Sequence, residues 1–548
     1  MPRLSDSSAS PRCVLCALLS GLFAAVLSGC PGSDAPTTGG GEVTTTPVSQ
    51  TAQAAGTKKT TPAIEPLMEG WQQPAVAIVL SGEQHGYVEP CGCSETQSGG
   101  LARRHDLFKQ LRERGWSVVG YDLGGLLKRT RPQSLLKLQM ARNAMDEMGY
   151  AAAGLGKEEI ALGPDTLFTE FTNAQGGVGY REGYDLAELS ANVVIYGTRE
   201  IGMPQEARID EFPTEDGGLV RVGVTSIYGQ AYRDSYQGSA DVLAIEDPVA
   251  SLERVLPQLE GADVRVLLAH APPSESRALA ERFPQFDVVV TAEGPEDPAD
   301  EPEVITHDDG RETWLLRVSQ KGKYVGVLAV YPTADAAAGE SPLRYELVDL
   351  DKDRFETSAE IVEWMRTYQQ ALIDNEIAIS RPPIAHPRGT GYVGAEACGA
   401  CHTTAYAIWS KSKHAHAFES LADGRPGTED WWVDRQHDAE CLACHVTGWE
   451  PQEIERFEGG FVSAEQTPHL VGNGCENCHG PGEAHTTLET ELLAGGAFTE
   501  EHRTQRQAVK LSQKTAALEV CSKCHDLDNS PNFDFETYWP KVQHVGTH

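Results

Sequence analysis

The chain is short of positive charge. It has 45 Lys and Arg against 80 Asp and Glu in 548 residues, a formal net charge of −35. Phosphate neutralisation needs clustered Lys and Arg, so a nucleic-acid partner is excluded. Docking on anionic lipid through a basic patch is excluded for the same reason. Long apolar runs are scarce as well. Only the first 30 residues could pass as a membrane segment, which rules out a chain that crosses a membrane repeatedly. Wholesale disorder is ruled out too, because 40% of residues are hydrophobic and 23% charged, an ordinary globular mixture. At about 100–200 residues per domain, the length allows two to four domains. What the chain does have is 13 cysteines and 17 histidines, with eight of the cysteines after residue 397.

Residues 1–30 read as an export signal. Arg3 and Arg12 supply the positive start, and Cys13 to Leu27 is apolar but short for a spanning helix. The string Leu27-Ser28-Gly29-Cys30 resembles a bacterial lipobox. It implies cleavage before Cys30 and lipidation of its thiol, which anchors a protein without spanning the membrane. Pro31 is not the Asp that would argue for inner-membrane retention. The expected place is the periplasmic side of a bacterial membrane, with the outer membrane favoured. Residues 31–68 are rich in Thr, Gly, Ala, Pro and Ser and read as a flexible tether.

From Ala75 the pattern changes. Ala75 to Leu80, Ser117 to Tyr121, Val220 to Thr225, Val264 to Ala269 and Phe286 to Thr291 are short apolar runs that read as buried strands. Leu101 to Arg114 and Glu275 to Arg282 have helical spacing between them. Alternating strands and helices predict an α/β sandwich with largely parallel sheets. Thr313 to Pro332 and Leu343 to Leu350 read as closing antiparallel strands. The α/β domain is assigned to 69–353.

Several segments of this domain resemble calcineurin-like metallophosphatases of the 5′-nucleotidase type. Ser81-Gly-Glu83-Gln-His85-Gly86 stands where that family has Asp-x-His-Gly. Gly99-Gly100-Leu101-Ala102-Arg103-Arg104 is similar to its Gly-Gly-x-Ala-Arg. Tyr121-Asp122-Leu-Gly124-Gly125 falls at its Asp-x-Gly-Asp, and Ala191-Asn192-Val193 at its Ala-Asn-Val strand. His270 follows its strand where the family places a histidine ligand. Such enzymes hold two metals that make hydroxide and clamp a phosphoryl group. Here the set is worn. Glu83 replaces the first Asp, and Gly125 stands in place of a bridging Asp. Gly154-Leu-Gly156-Lys157-Glu158 replaces Gly-Asn-His-Glu, and Thr291-Ala-Glu293-Gly294 replaces Gly-His-x-His. His85, Asp122 and His270 remain as ligands for at most one residual divalent metal. The resemblance implies a degenerate domain used for packing, binding or partner recognition.

Cys91-Gly92-Cys93 follows His85 in a Gly-rich loop. It reads either as a redox-active or metal-touching pair or as a structural staple. Thr357 to Ile379 has helical spacing and reads as a domain-bridging helix within a linker, 354–385. Arg381-Pro-Pro ends it.

Residues 386–548 carry four repeats of one motif: Cys398-Gly-Ala-Cys401-His402, Cys441-Leu-Ala-Cys444-His445, Cys475-Glu-Asn-Cys478-His479 and Cys521-Ser-Lys-Cys524-His525. Cys-x-x-Cys-His is the attachment sequence of c-type haem. On a helical turn, positions i, i+3 and i+4 share a face, so two thiols reach the haem vinyl groups while the imidazole reaches iron. A lone Cys-x-x-Cys would read equally as a zinc knuckle or a redox dithiol. Four adjacent histidines on an exported chain favour four covalent haems c. Further histidines could supply sixth ligands: His386, His414, His416, His437, His469, His485, His502, His544 and His548. Of these, His386, His502 and His548 read most readily as surface residues.

The segment 393–548 resembles the tetrahaem cytochrome c-554 family. The similarity runs through Trp409 to Leu421, Cys441 to Gly448, Gly459-Gly460-Phe461, Leu470 to His485, and Phe533-Asp-Phe535 up to His544. It implies His414, His485 and His544 as distal ligands to three haem irons, with Phe533 to His544 as a C-terminal ligand helix. It also implies one five-coordinate haem at the second motif, unless His437 or His469 completes it. His414 and His416, two residues apart on a helix, face different ways, and the resemblance favours His414.

The fold expected is therefore an α/β metallophosphatase-like sandwich followed by a mainly α multihaem cytochrome c domain. The function expected is periplasmic electron transfer by a lipid-anchored protein, with redox partner proteins and no nucleic acid. Residues 386–548 hold 24 acidic and 12 basic side chains, which favours a partner with a basic face. Two enzyme alternatives accompany this reading. One is chemistry on a small nitrogen compound at an open haem. The other is metal-dependent nucleotide phosphohydrolysis.

Overall fold

The computed structural model describes residues 66–90, 97–174, 180–214, 216–331, 341–389 and 391–544. The signal, Cys30, most of the tether, Cys91, Cys93 and His548 lie outside the described residues. Ile64–His548 forms one compact unit.

Its first lobe is built on two six-stranded sheets. In spatial order the first holds Leu343–Asp349, Tyr324–Val330, Val76–Ser81, Val118–Asp122, Tyr150–Gly154 and Ala187–Leu189. The second holds Glu303–Thr306, Glu312–Arg317, Val288–Thr291, Val264–His270, Leu219–Tyr228 and Ala207–Pro213. Four strands in each sheet run parallel, as the buried apolar runs predict. Alternation sorts the side chains into layers. Val76, Ile78 and Leu80 point between the sheets, against Val222, Val224, Val266, Leu268 and Val290. Ala77 and Val79 point outward, into a layer with Leu107, Leu111, Met145, Met365 and Leu372. Leu252, Leu279, Phe283 and Phe286 cover the far side of the second sheet.

One expected element divides. Thr313 to Pro332 is not one closing antiparallel region. Glu312–Arg317 lies parallel to Val288–Thr291 in the second sheet, and Tyr324–Val330 crosses to pair antiparallel with Val76–Ser81 in the first. The turn at Lys321, with φ +62°, redirects the chain between them. The bridging helix spans Ala359–Asp374 and ends before a left-handed Glu376 at φ +49°. Its Ile361, Met365, Tyr368 and Leu372 are buried in the outer layer of the first lobe.

The second lobe is made of short helices and one two-stranded ribbon, Trp449–Glu450 with Glu455–Arg456. Its apolar cluster is small, built round Phe418, Leu421, Leu442, Val446, Trp449, Phe461 and Leu470. Phe533, Phe535, Tyr538 and Trp539 instead line a cavity of about 1340 Å³. The expected C-terminal ligand helix is broken. Helix Phe535–Tyr538 gives way to a 3₁₀ turn at Trp539–Lys541, because Pro540 cannot donate a helix hydrogen bond. Lys411 to Ala417 is a run of turns rather than a helix.

Candidate haem centres

Each Cys-x-x-Cys-His motif sits on a helical turn. Ala439–His445 and Cys475–His479 are α-helices. In the first and fourth motifs the i+4 bond is closed by His402 N–H to Cys398 O and His525 N–H to Cys521 O, each 2.8 Å. Two thiols and one imidazole therefore share a face in each motif. The eight motif cysteines form no disulfides. Burial pushes the Cys478 thiol up to about 12. Thiols of different motifs lie close together, Cys398 near Cys475 and Cys444 near Cys524. Cys521 lies close enough to Cys478 to raise its thiol further.

Three pairs of imidazoles, far apart in sequence, face each other. His402 and His485 have ring centroids 6.3 Å apart. For His414 and His525 the distance is 6.0 Å, and for His479 and His544 it is 5.8 Å. A metal–imidazole bond is about 2 Å, so two trans imidazoles on one metal have centroids about 6 Å apart. Three of the six Nδ1 atoms have partners of the kind that orient a ligand, while His485 Nδ1 is buried without one. His479 Nδ1 lies 2.7 Å from Val509 O, His544 Nδ1 3.0 Å from Val542 O, and His525 Nδ1 2.9 Å from Ser530 Oγ. Donation from Nδ1–H to a carbonyl leaves Nε2 as the lone-pair nitrogen. Burial holds His414, His479, His485 and His525 below the usual imidazole range. That favours the neutral ring a metal requires. The donor set and spacing fit haem iron.

His445 differs. Its Nδ1 is 2.7 Å from Ala417 O, and burial lowers its pKa as in the others. Among the described residues no second imidazole ring faces it. His437 and His469 are both exposed and stack on no other ring. His416 is exposed and bonded to Glu419 (2.9 Å). His386 packs against Phe457 and Tyr392. His502 is not a surface residue. It is buried, with Nδ1 2.7 Å from Thr499 Oγ1 and Nε2 3.0 Å from Leu488 O, and so pins a helix start.

In the first lobe, the worn motifs gather at the C-terminal ends of the parallel strands, the usual ligand edge of such sheets. Register sets Ser81 beside Asp122 and Tyr228 beside His270. Groups of the chain itself engage part of what remains, while Glu83 Oε2 and His270 Nδ1 are buried without a hydrogen-bond partner. Asp122 accepts from Ser81 Oγ (2.5 Å) and from Gly124 N–H (2.8 Å), with the buried Arg104 close by. His270 stacks on Tyr228 at 5.9 Å, and burial pushes it down to about 4. Asn192 bonds the Tyr228 backbone. His85 lies 3.8 Å from Glu83. Lys157 lies 3.7 Å from Glu293 and 3.6 Å above the Tyr232 ring, whose hydroxyl donates to Glu293 (2.6 Å). Among the described residues no three His, Cys, Asp or Glu are grouped to hold a metal ion.

Glu159 has no counterpart in the sequence reading. Its buried carboxylate accepts from Gly125, Leu127 and Gly156 N–H, at 3.0, 3.0 and 2.8 Å. It thereby ties together two glycine turns that approach so closely that a Cβ on Gly124 would lie 2.6 Å from Gly154 O.

The lobes are joined by charged and polar bonds. Asp438 caps the helix of the second motif, accepting from Glu440 N–H, and also accepts from Gln133 (2.7 Å) and Gln369 (3.0 Å). Lys137 pairs with Glu440, Arg131 with Glu453 (3.3 Å) and Arg435 with Glu89. Asp528, three residues after His525, accepts from Tyr87 OH (2.5 Å) and pairs with Lys321, while Gln97 donates to its backbone carbonyl (2.9 Å). The position of Asp438 before Ala439-Glu440-Cys441 is a readable N-cap signal. The glutamines and Lys321 carry no such signal.

Residues 397–480 match the family model "Cytochrome c554 and c-prime". Cytochrome c-554 of Nitrosomonas europaea is 30% identical over 149 residues, which cover 26% of this chain. The chain spans 60% of that relative's length. The match takes in the first three Cys-x-x-Cys-His motifs. Solved structures similar to this chain include a 5′-nucleotidase precursor from Thermus thermophilus, with a TM-score of 0.45 and 23% identity, covering 59% of this chain and 62% of that one. A calcineurin-like phosphoesterase from Bacillus subtilis has a TM-score of 0.43 and 19% identity, covering 54% and 97% respectively. No helix among the described residues is long and apolar enough to cross a membrane.

Proposed function

We propose that the chain is a tetrahaem c-type cytochrome that transfers electrons on the periplasmic side of a bacterial membrane. Cys30 carries its lipid anchor, with the outer membrane favoured, and redox partner proteins with basic faces exchange electrons with it. Cys398, Cys401 and His402 hold one haem with His485 as distal ligand. Cys475, Cys478 and His479 hold another with His544, and Cys521, Cys524 and His525 a third with His414. Cys441, Cys444 and His445 hold the fourth. The observation that carries this reading is the three imidazole pairs at 5.8–6.3 Å. Bound haem supplies a one-electron couple, and six-coordination keeps it suited to electron transfer. The thiol contacts support a spatial order of first, third, fourth and second haem. The first lobe serves as scaffold and docking module, and the internal ion pairs at its old metal edge support the absence of hydrolysis there.

The test is the intact mass and visible spectrum of protein from a host competent in haem attachment. Four covalent haems are expected, and unmodified motif thiols would reject the reading. Nucleotide hydrolysis with added manganese that vanishes in His85→Ala would reject the inactive scaffold.

A second reading rests on His445, which faces no other imidazole. An open iron there would act on a small nitrogen compound. A high-spin paramagnetic signal supports this, and low-spin signals from every iron would remove it.

A further inference from the structure

Positive charge is scarce in residues 386–548 but is not spread evenly. Of their 12 basic side chains, six line the cavity of about 1340 Å³: Arg388, Lys411, Lys413, Arg425, Lys523 and Lys541. The acids lining it are Glu450 and Glu476. Both are already engaged. Glu450 pairs with Lys523 at 2.9 Å. Glu476 accepts the backbone N–H groups of Val393, Gly394 and Gly482. Five cations are left, and among the described residues none of them pairs with a carboxylate. The Arg388 guanidinium donates to the His479 carbonyl, and the Lys541 ammonium lies 4.2 Å from the Tyr538 ring centroid. Five like charges around one cavity repel each other unless an anion enters. The same wall carries Cys521, Cys524, His525 and His414.

We propose that Arg388, Lys411, Lys413, Arg425 and Lys541 pair with the propionate carboxylates of the haems seated in this cavity and raise their reduction potentials. The inference rests on the haem reading above. A reduced haem carries one positive charge fewer than an oxidised one. Net cationic surroundings therefore favour reduction, a lever separate from axial ligation.

The test is a spectroelectrochemical titration of the full-length, haem-loaded protein. The variant is Lys411→Gln/Lys413→Gln, combined with Arg425→Gln. Its haem count by mass is expected to match the wild type. At least one couple is expected to fall by about tenfold in its reduction equilibrium, ~59 mV for one electron. The variant Lys510→Gln/Lys514→Gln removes charge from the same lobe outside the cavity and should move no couple as far. Full loading with every couple unmoved overturns the inference, as does an equal shift in the control. If the glutamine variants do not load haem, Lys411→Arg/Lys413→Arg decides. Normal loading at wild-type potentials is expected, and failure to load contradicts a role exerted through charge. Wild-type protein without covalent haem would reject the underlying reading instead.

Discussion

At the strand ends of the first lobe, several charged groups are met by groups of the same chain. Arg104 stands beside Asp122, Lys157 beside Glu293, and three backbone N–H groups meet Glu159. In the second lobe the arrangement is opposite. Imidazoles face each other at about 6 Å, and five cations around a cavity have no carboxylate partner among the described residues. The first set is bonded in large part, with Glu83 Oε2 and His270 Nδ1 as its exceptions. A site built for a ligand keeps nitrogen and charge that the chain alone does not satisfy. The difference separates two motif sets that both look chemical in sequence.

The largest expected effect breaks the second lobe's side of that contrast. Cys475→Ala/Cys478→Ala should remove one covalent haem, read as one haem mass lost from the intact protein. His544→Ala should keep that haem but open its iron, seen as a new high-spin signal with the other low-spin signals unchanged.

The next test sharpens the first lobe's side. Burial pushes Glu159 up to about 7, against an ordinary glutamate near 4.5. Between those values the folded state binds the proton and the unfolded state does not. The stability this group contributes is therefore full below about pH 4.5 and is lost as pH rises through about 7. The loss is about 3 kcal/mol at one pKa unit per 1.36 kcal/mol. Denaturant melts of wild type and Glu159→Gln across pH 4.5–8 should show that slope only in the wild type.

A smaller effect probes the seam between the lobes. Asp438→Ala removes a helix cap and leaves Gln133 and Gln369 without their acceptor. It should cost about 2 kcal/mol in a denaturant melt, the scale of one cap at about 1 kcal/mol with two hydrogen bonds at about 0.5 kcal/mol each.

What is legible in the sequence follows from range. The residues of each Cys-x-x-Cys-His motif lie within five positions of one another, so spacing alone groups them. Buried strands such as Val264–His270 are continuous apolar runs and are equally plain. Sheet membership is not. Glu312–Arg317 and Tyr324–Val330 are neighbours in the chain but join different sheets, because strand pairing is settled by distant partners. The pairing of His402 with His485 spans 83 positions, and the contact of Asp528 with Tyr87 spans 441. Local pattern carries no trace of either. His502 reads as a surface residue yet is buried, for a related reason: a histidine that caps a helix start is indistinguishable in composition from one on the surface.

The most direct test of the account is the paramagnetic spectrum of the full-length oxidised protein, taken on a sample whose haem count is known from its intact mass. Four haems with three low-spin irons and one high-spin iron are predicted, matching three imidazole pairs and a solitary His445. Fewer than four covalent haems, or any number of high-spin irons other than one in the loaded wild type, would contradict it.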